Sequence, residues 1–303
     1  MREFHRRAAA AAETAGVESL EFVFVNDGSP DASLKIALEI QREDSRVRIV
    51  DLSRNFGHHY AIMAGLAHSR GDLVYLVDSD LEEPPESLGE LLHALRAEQA
   101  DLAYGFQTKR KGGPIERWGG AIAFWLVNSL SGEFEFPRNM LVSRVMTRRY
   151  VEKLIAHPER AIVFPALSAS TGFRQVSIPL VKHNKGTSTY SLRKRVKLLL
   201  RFVTEFSYRP LHYIAYVGAA ITGLSILYVI YLAINYFMGR TVPEGYTSIV
   251  VSVWFLGGLI LFSIGIVALY LSVIFVEVKG RPRYIVRMLY EPKQDSPDAR
   301  DRE

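Results

Sequence analysis

Two carboxylates stand one residue apart in this sequence, Asp78 and Asp80, directly after a run of apolar, β-favouring residues. The double proline that follows, at positions 84 and 85, cannot continue a central strand, so we expect the carboxylates at the carboxyl end of that strand. Ligands of open α/β sheets bind at this end. Paired carboxylates there suit a hard divalent cation shared with substrate phosphates, and a solvated acidic turn is the alternative interpretation of this pattern taken alone.

The elements that would position this pair alternate between strands and helices. Val74, Leu76 and Val77 predict that the strand before Asp78 is buried on both faces, as in a parallel sheet. We expect further strands at residues 21–25, 48–52, 101–104 and 173–179, and helices at residues 1–15, from 33, and at 58–69, 85–97, 147–155 and 161–170. Residues 133–144 fit neither period. The alternation predicts an α/β fold with a mostly parallel sheet.

The composition limits the chemistry that this chain of 303 residues could perform. It contains no cysteine, which excludes disulfides, thiolate metal sites and a cysteine nucleophile. Residues 1–14 are charged and rich in alanine, and they lack the apolar core of a signal peptide. The net charge is +5, but the basic residues concentrate beside apolar segments, so lipid explains them better than nucleic acid.

Two long segments without any charged residue occupy the last third of the chain, at residues 211–239 and 245–276. Each exceeds the roughly 20 apolar residues that a helix needs to cross a bilayer. Residues 182–209 hold eight Lys or Arg against one acid, and more cations follow the second segment. The excess of cations at both ends predicts an inner-membrane protein with two spans and both termini in the cytoplasm.

A cationic, amphipathic helix is expected just before the first span. Leu192, Val196 and Leu199 recur at helical spacing, while Lys194 and Lys197 occupy the other side. This pattern suits an anionic membrane surface, and a surface helix packed on the soluble domain is the alternative. We therefore divide the chain into a soluble α/β domain at 1–190, an interfacial helix at 191–209, a membrane hairpin at 210–290 and a disordered tail at 291–303.

Five short motifs in a fixed order, together with the two spans, resemble the polyprenyl-phosphate glycosyltransferases of glycosyltransferase family 2, the group related to dolichol-phosphate mannose synthase. The motifs lie at residues 25–29 with Asp31, 52–57, 78–86, 186–190, and 206–207 with 210–211. The resemblance implies a GT-A fold that binds a UDP- or GDP-linked sugar with Mg²⁺ or Mn²⁺. It also implies inverting transfer of that sugar to a polyprenyl phosphate at the cytoplasmic membrane face.

The resemblance also assigns roles to residues of this chain. Asp78 and Asp80 would hold the metal, with Asp80 counted among the catalytic residues and Asp78 also contacting the donor. The other residues that would bind the donor are Asp27, Arg54 and Tyr190. The other catalytic residues, which would contact phosphates, are Arg144, Lys185 and Ser188. Glu82 and Glu83 stand where relatives often have a Gln-Asp or His-Asp pair, and either could instead cap the helix that begins near Pro85.

Three departures from the family pattern bear on activity. Val142 stands where many relatives have a proposed catalytic Asp, so no general base is assigned. His183 replaces an Arg, and Lys182 or Lys185 could substitute for it. The chain starts at what should be the helix after the first strand, so we expect a sheet that lacks this strand and leaves two strand edges unpaired.

Two other interpretations compete with that of a polyprenyl-phosphate glycosyltransferase, one of them a second kind of enzyme. A catalytically impaired membrane scaffold is the alternative that the departures favour. A processive polysaccharide synthase would carry a Gln-x-x-Arg-Trp motif and more spans, neither of which is found. Small residues in the two spans, at 218–220, 223, 257 and 258, lead us to expect a homo-oligomer.

Overall fold

A computed structural model describes residues 1–107, 140–159, 163–182, 209–238 and 245–292. The described residues form two compact units. The first contains everything up to Lys182 together with the segment from Arg281 onwards, and the second contains two long helices. The predicted interfacial helix and most of the loop before it therefore lie outside the described residues.

The first unit alternates strands and helices largely as predicted. Its helices are α1 (Arg2–Thr14), α2 (Ser33–Glu43), α3 (His58–His68), α4 (Leu88–Ala97, after a 3₁₀ turn at Pro85–Ser87), α5 (Arg148–Ala156) and α6 (Phe164–Ser170). Its strands are β1 (Phe22–Asn26), β2 (Val47–Leu52), β3 (Leu73–Leu76), β4 (Leu102–Phe106), β5 (Met140–Thr147), β6 (Gln175–Pro179) and β7 (Val286–Tyr290).

The strands form two sheets, in the orders β1-β2-β7 and β3-β5-β4-β6. The α/β class is confirmed, but the sheets are mixed rather than mostly parallel. β1 with β2 and β4 with β6 are parallel, whereas β2 with β7, β3 with β5 and β4 with β5 are antiparallel. The difference arises because β5 and β7, which the periodicity did not predict, enter the sheets against the direction of their neighbours.

Strand β5 begins within residues 133–144, which fitted neither the helical nor the strand period. It lies between β3 and β4, and its residues 143–146 are all buried. Ser143 and Arg144 are polar and yet almost fully buried, so neither an alternating nor a continuous apolar pattern marks this strand. The neighbouring strands, rather than its own composition, determine that it pairs.

Strand β3 is less buried than predicted. Leu73 is exposed, and Val74, Tyr75 and Leu76 are half-buried. The physical reason is that β3 pairs with β5 alone among the described strands, so its second edge has no neighbour. Among the strands that the structure describes, β1 likewise pairs with β2 alone.

The helices close the core over both sheets. Phe4 of α1 packs with Phe22 and Phe24 of β1, while Ala12 of the same helix packs in the cluster formed by α4, β4 and β5. Just before β1 and β3 begin, the Glu21 carboxylate accepts hydrogen bonds from the backbone N–H groups of residues 70 and 71. Helix α1 and this carboxylate thus connect the sheet that carries β1 to the sheet that carries β3.

Strand β7 shows that the predicted domain boundary at 290 is wrong. β7 follows the second long helix and pairs antiparallel with β2, with Val50 opposite Leu289. Gln41 donates a hydrogen bond to the Tyr290 carbonyl at 2.8 Å, and Arg48 donates to Glu291 at 2.8 Å. Residues 281–292 therefore belong to the first unit, which corresponds to the predicted soluble domain and is the soluble unit of the proposed arrangement. The cations before β7 resemble a membrane flank, which hid the strand in the sequence.

The second unit contains α7 (Arg209–Phe237) and α8 (Tyr246–Val278). Within them, Leu211–Tyr228 and Phe255–Val278 have mean hydropathies of 1.4 and 2.8 and are long and apolar enough to cross a membrane. Large apolar side chains on both helices are exposed, among them Leu224, at 67%, and Leu261, at 71%. Such contiguous apolar surface is typical of helices that face lipid.

Candidate active site

The two predicted carboxylates lie just beyond the carboxyl end of β3. Asp78 is half-buried, and its Oδ1 is 3.9 Å from Nδ1 of His58, the first residue of α3. Asp80 is exposed, and its Oδ1 accepts the backbone N–H of Glu82 at 2.8 Å, which bends the chain after the strand. The N-terminus of α3 therefore lies beside Asp78, and the positive end of a helix dipole favours anionic ligands.

The pKa of Asp78 is raised above its ordinary value. Burial of the carboxyl is the largest cause, and the charges of Glu83 and Asp80 add to it, while His58 and Lys182 act in the opposite direction. The raised pKa reflects mainly the burial of this carboxyl, and the two neighbouring carboxylates crowd negative charge around it at neutral pH. A bound cation would relieve this crowding.

Glu83 is a site residue whose role the sequence left undecided. It is 2% exposed, and its carboxylate accepts the backbone N–H groups of Val142, at 3.2 Å, and Ser143, at 2.7 Å. It therefore anchors the middle of β5 to the acidic turn and does not cap the helix that follows. Its burial is the feature that a one-dimensional acidic pattern cannot reveal.

Lys182, at the end of the described segment after β6, supplies positive charge to the same place. Its Nζ lies 2.9 Å from Glu82 and 3.8 Å from Glu83. Burial disfavours the ammonium, but the hydrogen bond to Glu82 and the charges of Glu83, Glu82 and Asp80 outweigh it and raise the pKa of Lys182. The sequence pointed to Lys182 only as a substitute for a missing Arg, and His58 only as a helix start.

Arg144 is buried, and its predicted contact with a phosphate stays a prediction. It is 1% exposed, and its guanidinium donates to the carbonyls of Leu141 and Val142 and to Ser168 Oγ. Its Cζ also lies 4.8 Å from the centre of the Phe164 ring. Burial lowers the pKa of Arg144 to about 10, so the side chain stays protonated at neutral pH. In this structure Arg144 joins β5 to α6, and its donors are directed into the protein.

Asp27 holds the loop between β2 and α3. Its two carboxylate oxygens accept the backbone N–H groups of Phe56, at 2.7 Å, and Gly57, at 2.8 Å. Gly57 precedes α3 with a φ of 106°. The predicted nucleoside contact of Asp27 stays a prediction. The observed contacts give this carboxylate a role in shaping the loop that ends beside Asp78.

Arg54 is exposed on that same loop. Its guanidinium Cζ lies 4.2 Å from the centre of the Phe56 ring, and Nη1 donates to the Asn55 carbonyl at 3.1 Å. A cation–π contact of this kind restrains the side chain while leaving its charge in solvent. The remaining predicted site residues, Lys185, Ser188 and Tyr190, lie outside the described residues.

The donor set fits a divalent metal that is shared with a substrate. In the described part of the chain, no group of three or more His, Cys, Asp or Glu side chains converges as a metal cluster. Mg²⁺ and similar ions, however, commonly bind through one or two carboxylates plus substrate phosphates and water. Asp78 and Asp80 offer two such carboxylates in a region where negative charge is crowded, so the residues present fit this mode of binding.

Comparisons with known proteins agree with one another. The sequence model described as "Glycosyl transferase family 2" matches residues 6–155. A protein of Mycobacterium tuberculosis that is named among the glycosyltransferases is 43% identical over 288 residues, which cover 95% of this chain and 84% of the relative. "Uncharacterized glycosyltransferase YkcC" of Bacillus subtilis is 33% identical and covers 90% and 85%. "SfII prophage-derived bactoprenol glucosyl transferase" of Shigella flexneri is 32% identical and covers 88% and 87%.

Proposed function

The chain belongs to glycosyl transferase family 2, and from this we propose that it moves a sugar from a nucleotide-sugar to a polyprenyl phosphate with inversion at the anomeric carbon. The relative named as a bactoprenol glucosyl transferase supports the acceptor, because the match covers 88% of this chain. The observation that carries the proposal is the position of Asp78 beside the N-terminus of α3, with Asp80 two residues further along the same turn.

The donor diphosphate would bind at this end of β3, with Asp78 and Asp80 holding Mg²⁺ or Mn²⁺. When bound, the metal neutralises charge that develops on the leaving nucleoside diphosphate. The N-terminus of α3 adds electrostatic support for the same anion. Asp27 keeps the loop before α3 in place, and Arg54 on that loop carries a positive charge in solvent.

The transfer step needs no strong base from the protein. A phosphate monoester is largely ionised near neutral pH, with a second pKa of about 6. One of its oxygens attacks the anomeric carbon while the bond from that carbon to the donor phosphate breaks, and the nucleoside diphosphate leaves as an anion. This agrees with Val142 standing where relatives have an acidic residue, because no proton has to be removed there.

The membrane arrangement follows from chain connectivity. β6 and β7 belong to the soluble unit, and α7 and α8 lie between them in sequence. If both helices span the bilayer, as their length and hydropathy allow, the chain must return to the side from which it left. We propose that the soluble unit is cytoplasmic, because the cations that flank the spans favour that side.

This topology can be tested with single cysteines, since the chain has none of its own. Thr241→Cys, between the two helices, should react with a membrane-impermeant maleimide on intact cells. Ser45→Cys, exposed on the soluble unit, should react only after the cells are permeabilised. Reaction of Ser45→Cys in intact cells would contradict the proposed orientation.

The transfer itself is tested in membranes that contain the chain. They are incubated with labelled UDP- and GDP-sugars, UDP-glucose first, with undecaprenyl phosphate, and with or without Mn²⁺. We expect label in the organic phase that depends on the chain and on added metal. Transfer that survives EDTA would remove the metal from the proposal. A complete lack of transfer would favour the alternative of an impaired membrane scaffold, with which the buried guanidinium of Arg144 is also compatible.

A further inference from the structure

Lys182 occupies an electrostatic position that the proposed reaction does not use. The acidic segment, defined as Asp78, Asp80, Glu82 and Glu83, gathers four carboxylates within six residues. Lys182 comes from a distant part of the chain and places its Nζ 2.9 Å from Glu82 and 3.8 Å from Glu83. The contact is therefore a tertiary one that joins the end of β6 to the acidic turn.

This ion pair differs from an ordinary surface pair in its burial. The side chains of Lys182 and Glu82 are 28% and 30% exposed, and that of Glu83 is 3% exposed. Exposed pairs contribute little because water and salt screen them. Charges that are shielded from water interact over a longer range, so Lys182 also acts on Asp78 and Asp80.

We propose that Lys182 is a built-in counter-cation that competes with the divalent metal for the acidic segment. This inference rests on the proposed function, because it takes Asp78 and Asp80 as the metal ligands. While Lys182 stays in place, a metal ion alone meets a segment that is already partly neutralised. A metal that arrives with a nucleoside diphosphate brings negative charge for the ammonium to pair with, so metal and donor should bind cooperatively.

The ion pair also places a positive charge near the buried carboxylate of Glu83. Glu83 is a buried anion with two backbone N–H groups as hydrogen-bond donors. Removing a partner from a buried charge is costly, because the charge is left uncompensated. Lys182 supplies part of this compensation in the absence of metal.

The test measures Mn²⁺ binding, and turnover plays no part in it. The full chain is purified in detergent, and free Mn²⁺ is followed by electron paramagnetic resonance during titration, with and without UDP. Lys182→Gln removes the charge and Lys182→Arg retains it. Lys153→Gln, on the exposed face of α5, is the control for loss of a cation elsewhere. Without UDP, we expect Lys182→Gln to bind Mn²⁺ about fivefold to tenfold more tightly than the wild type does. Added UDP should increase the Mn²⁺ affinity of this variant by a smaller factor than it increases that of the wild type.

Each outcome bears on the inference. Lys182→Arg and Lys153→Gln should match the wild type. Unchanged or weaker Mn²⁺ binding by Lys182→Gln would overturn the inference and indicate that Lys182 only fastens β6 to the acidic turn, and the sugar-transfer proposal would stand. A wild-type chain that binds no Mn²⁺ even with UDP would overturn the inference together with the metal assignment, and the transfer assay with EDTA would show whether transfer survives.

Discussion

Asp78→Asn should reduce sugar transfer by at least about a hundredfold to a thousandfold without unfolding the protein. Removing one electrostatic contact to the charge that develops in the transition state typically lowers the rate by this factor. Asparagine has nearly the same size as aspartate, and Asp78 is half-buried, with His58 Nδ1 3.9 Å from its Oδ1. The substitution therefore removes charge and leaves the packing of β3 in place. Initial rates of lipid-linked sugar formation measure the effect.

The same substitution should not lower stability, and this separates a functional carboxylate from a structural one. The pKa of Asp78 is raised in the folded protein above its ordinary 3.8. A raised pKa contributes stability that is present below pH 3.8 and is lost as the pH rises through the folded value. Without metal, the melting temperature of the wild type relative to Asp78→Asn should therefore fall as the pH is raised from about 4.

Asp72→Asn is the matched control for both measurements. Asp72 is exposed just before β3, so its loss removes one carboxylate from the same part of the chain. It should leave transfer and melting temperature near the wild-type values. If Asp78→Asn retained most of the transfer activity, or unfolded the protein at pH 7, the role assigned to this carboxylate would be wrong.

Gly28→Ala should destabilise the soluble unit by about 3 kcal/mol or more. It should also disrupt the loop between β2 and α3, which carries the predicted donor-binding residue Arg54. Gly28 has a φ of +61°, and a Cβ at this position would lie 2.5 Å from the carbonyl carbon of Arg54 and from the nitrogen of Asn55. These are backbone atoms, which a rotamer change cannot move. The turn after β1 and the loop after β2 would have to separate. Thermal unfolding and binding of a nucleoside diphosphate measure the two effects.

Gly16→Ala separates this clash from backbone strain. Gly16 has a φ of +68°, close to that of Gly28, but nothing lies within 4 Å of a Cβ at that position. Gly16→Ala should lower the free energy of unfolding by only about 1 kcal/mol, which is the penalty for a residue with a side chain in the left-handed conformation. Equal losses for the two variants would mean that the approach of the two loops has no effect on stability.

Much of the soluble unit could be predicted because its periodic segments agree with their tertiary surroundings. The helices that begin at Arg2, His58 and Leu88 and the strands at Phe22 and Val47 lie within a few residues of their predicted positions. Strand β5 could not be predicted, since its backbone at Ser143 and its buried Arg144 side chain make contacts with Glu83 and Ser168, which are distant in sequence. Strand β7 was missed because it follows a membrane-like segment and pairs with a strand more than two hundred residues earlier.

The site was predictable in type but only partly in arrangement. The spacing of Asp78 and Asp80 after a strand indicated their position, because a strand end and a proline pair are local features. The inward direction of Arg144 and the pairing of Lys182 with the acidic turn depend on β5 and β6, whose placement is a property of the whole sheet. The order of the motifs therefore identified the family. Only the tertiary structure showed that the guanidinium of Arg144 is buried.

The most direct test of the proposed reaction is the acceptor requirement of the purified chain. The protein is reconstituted in liposomes with either undecaprenyl phosphate or undecaprenol, and each is given the same labelled nucleotide-sugar and Mn²⁺. The account predicts a lipid-linked sugar with undecaprenyl phosphate and none with undecaprenol, because only the phosphate is already ionised for attack. Lack of product from undecaprenyl phosphate with every UDP- and GDP-sugar, or equal transfer to the alcohol, would contradict it.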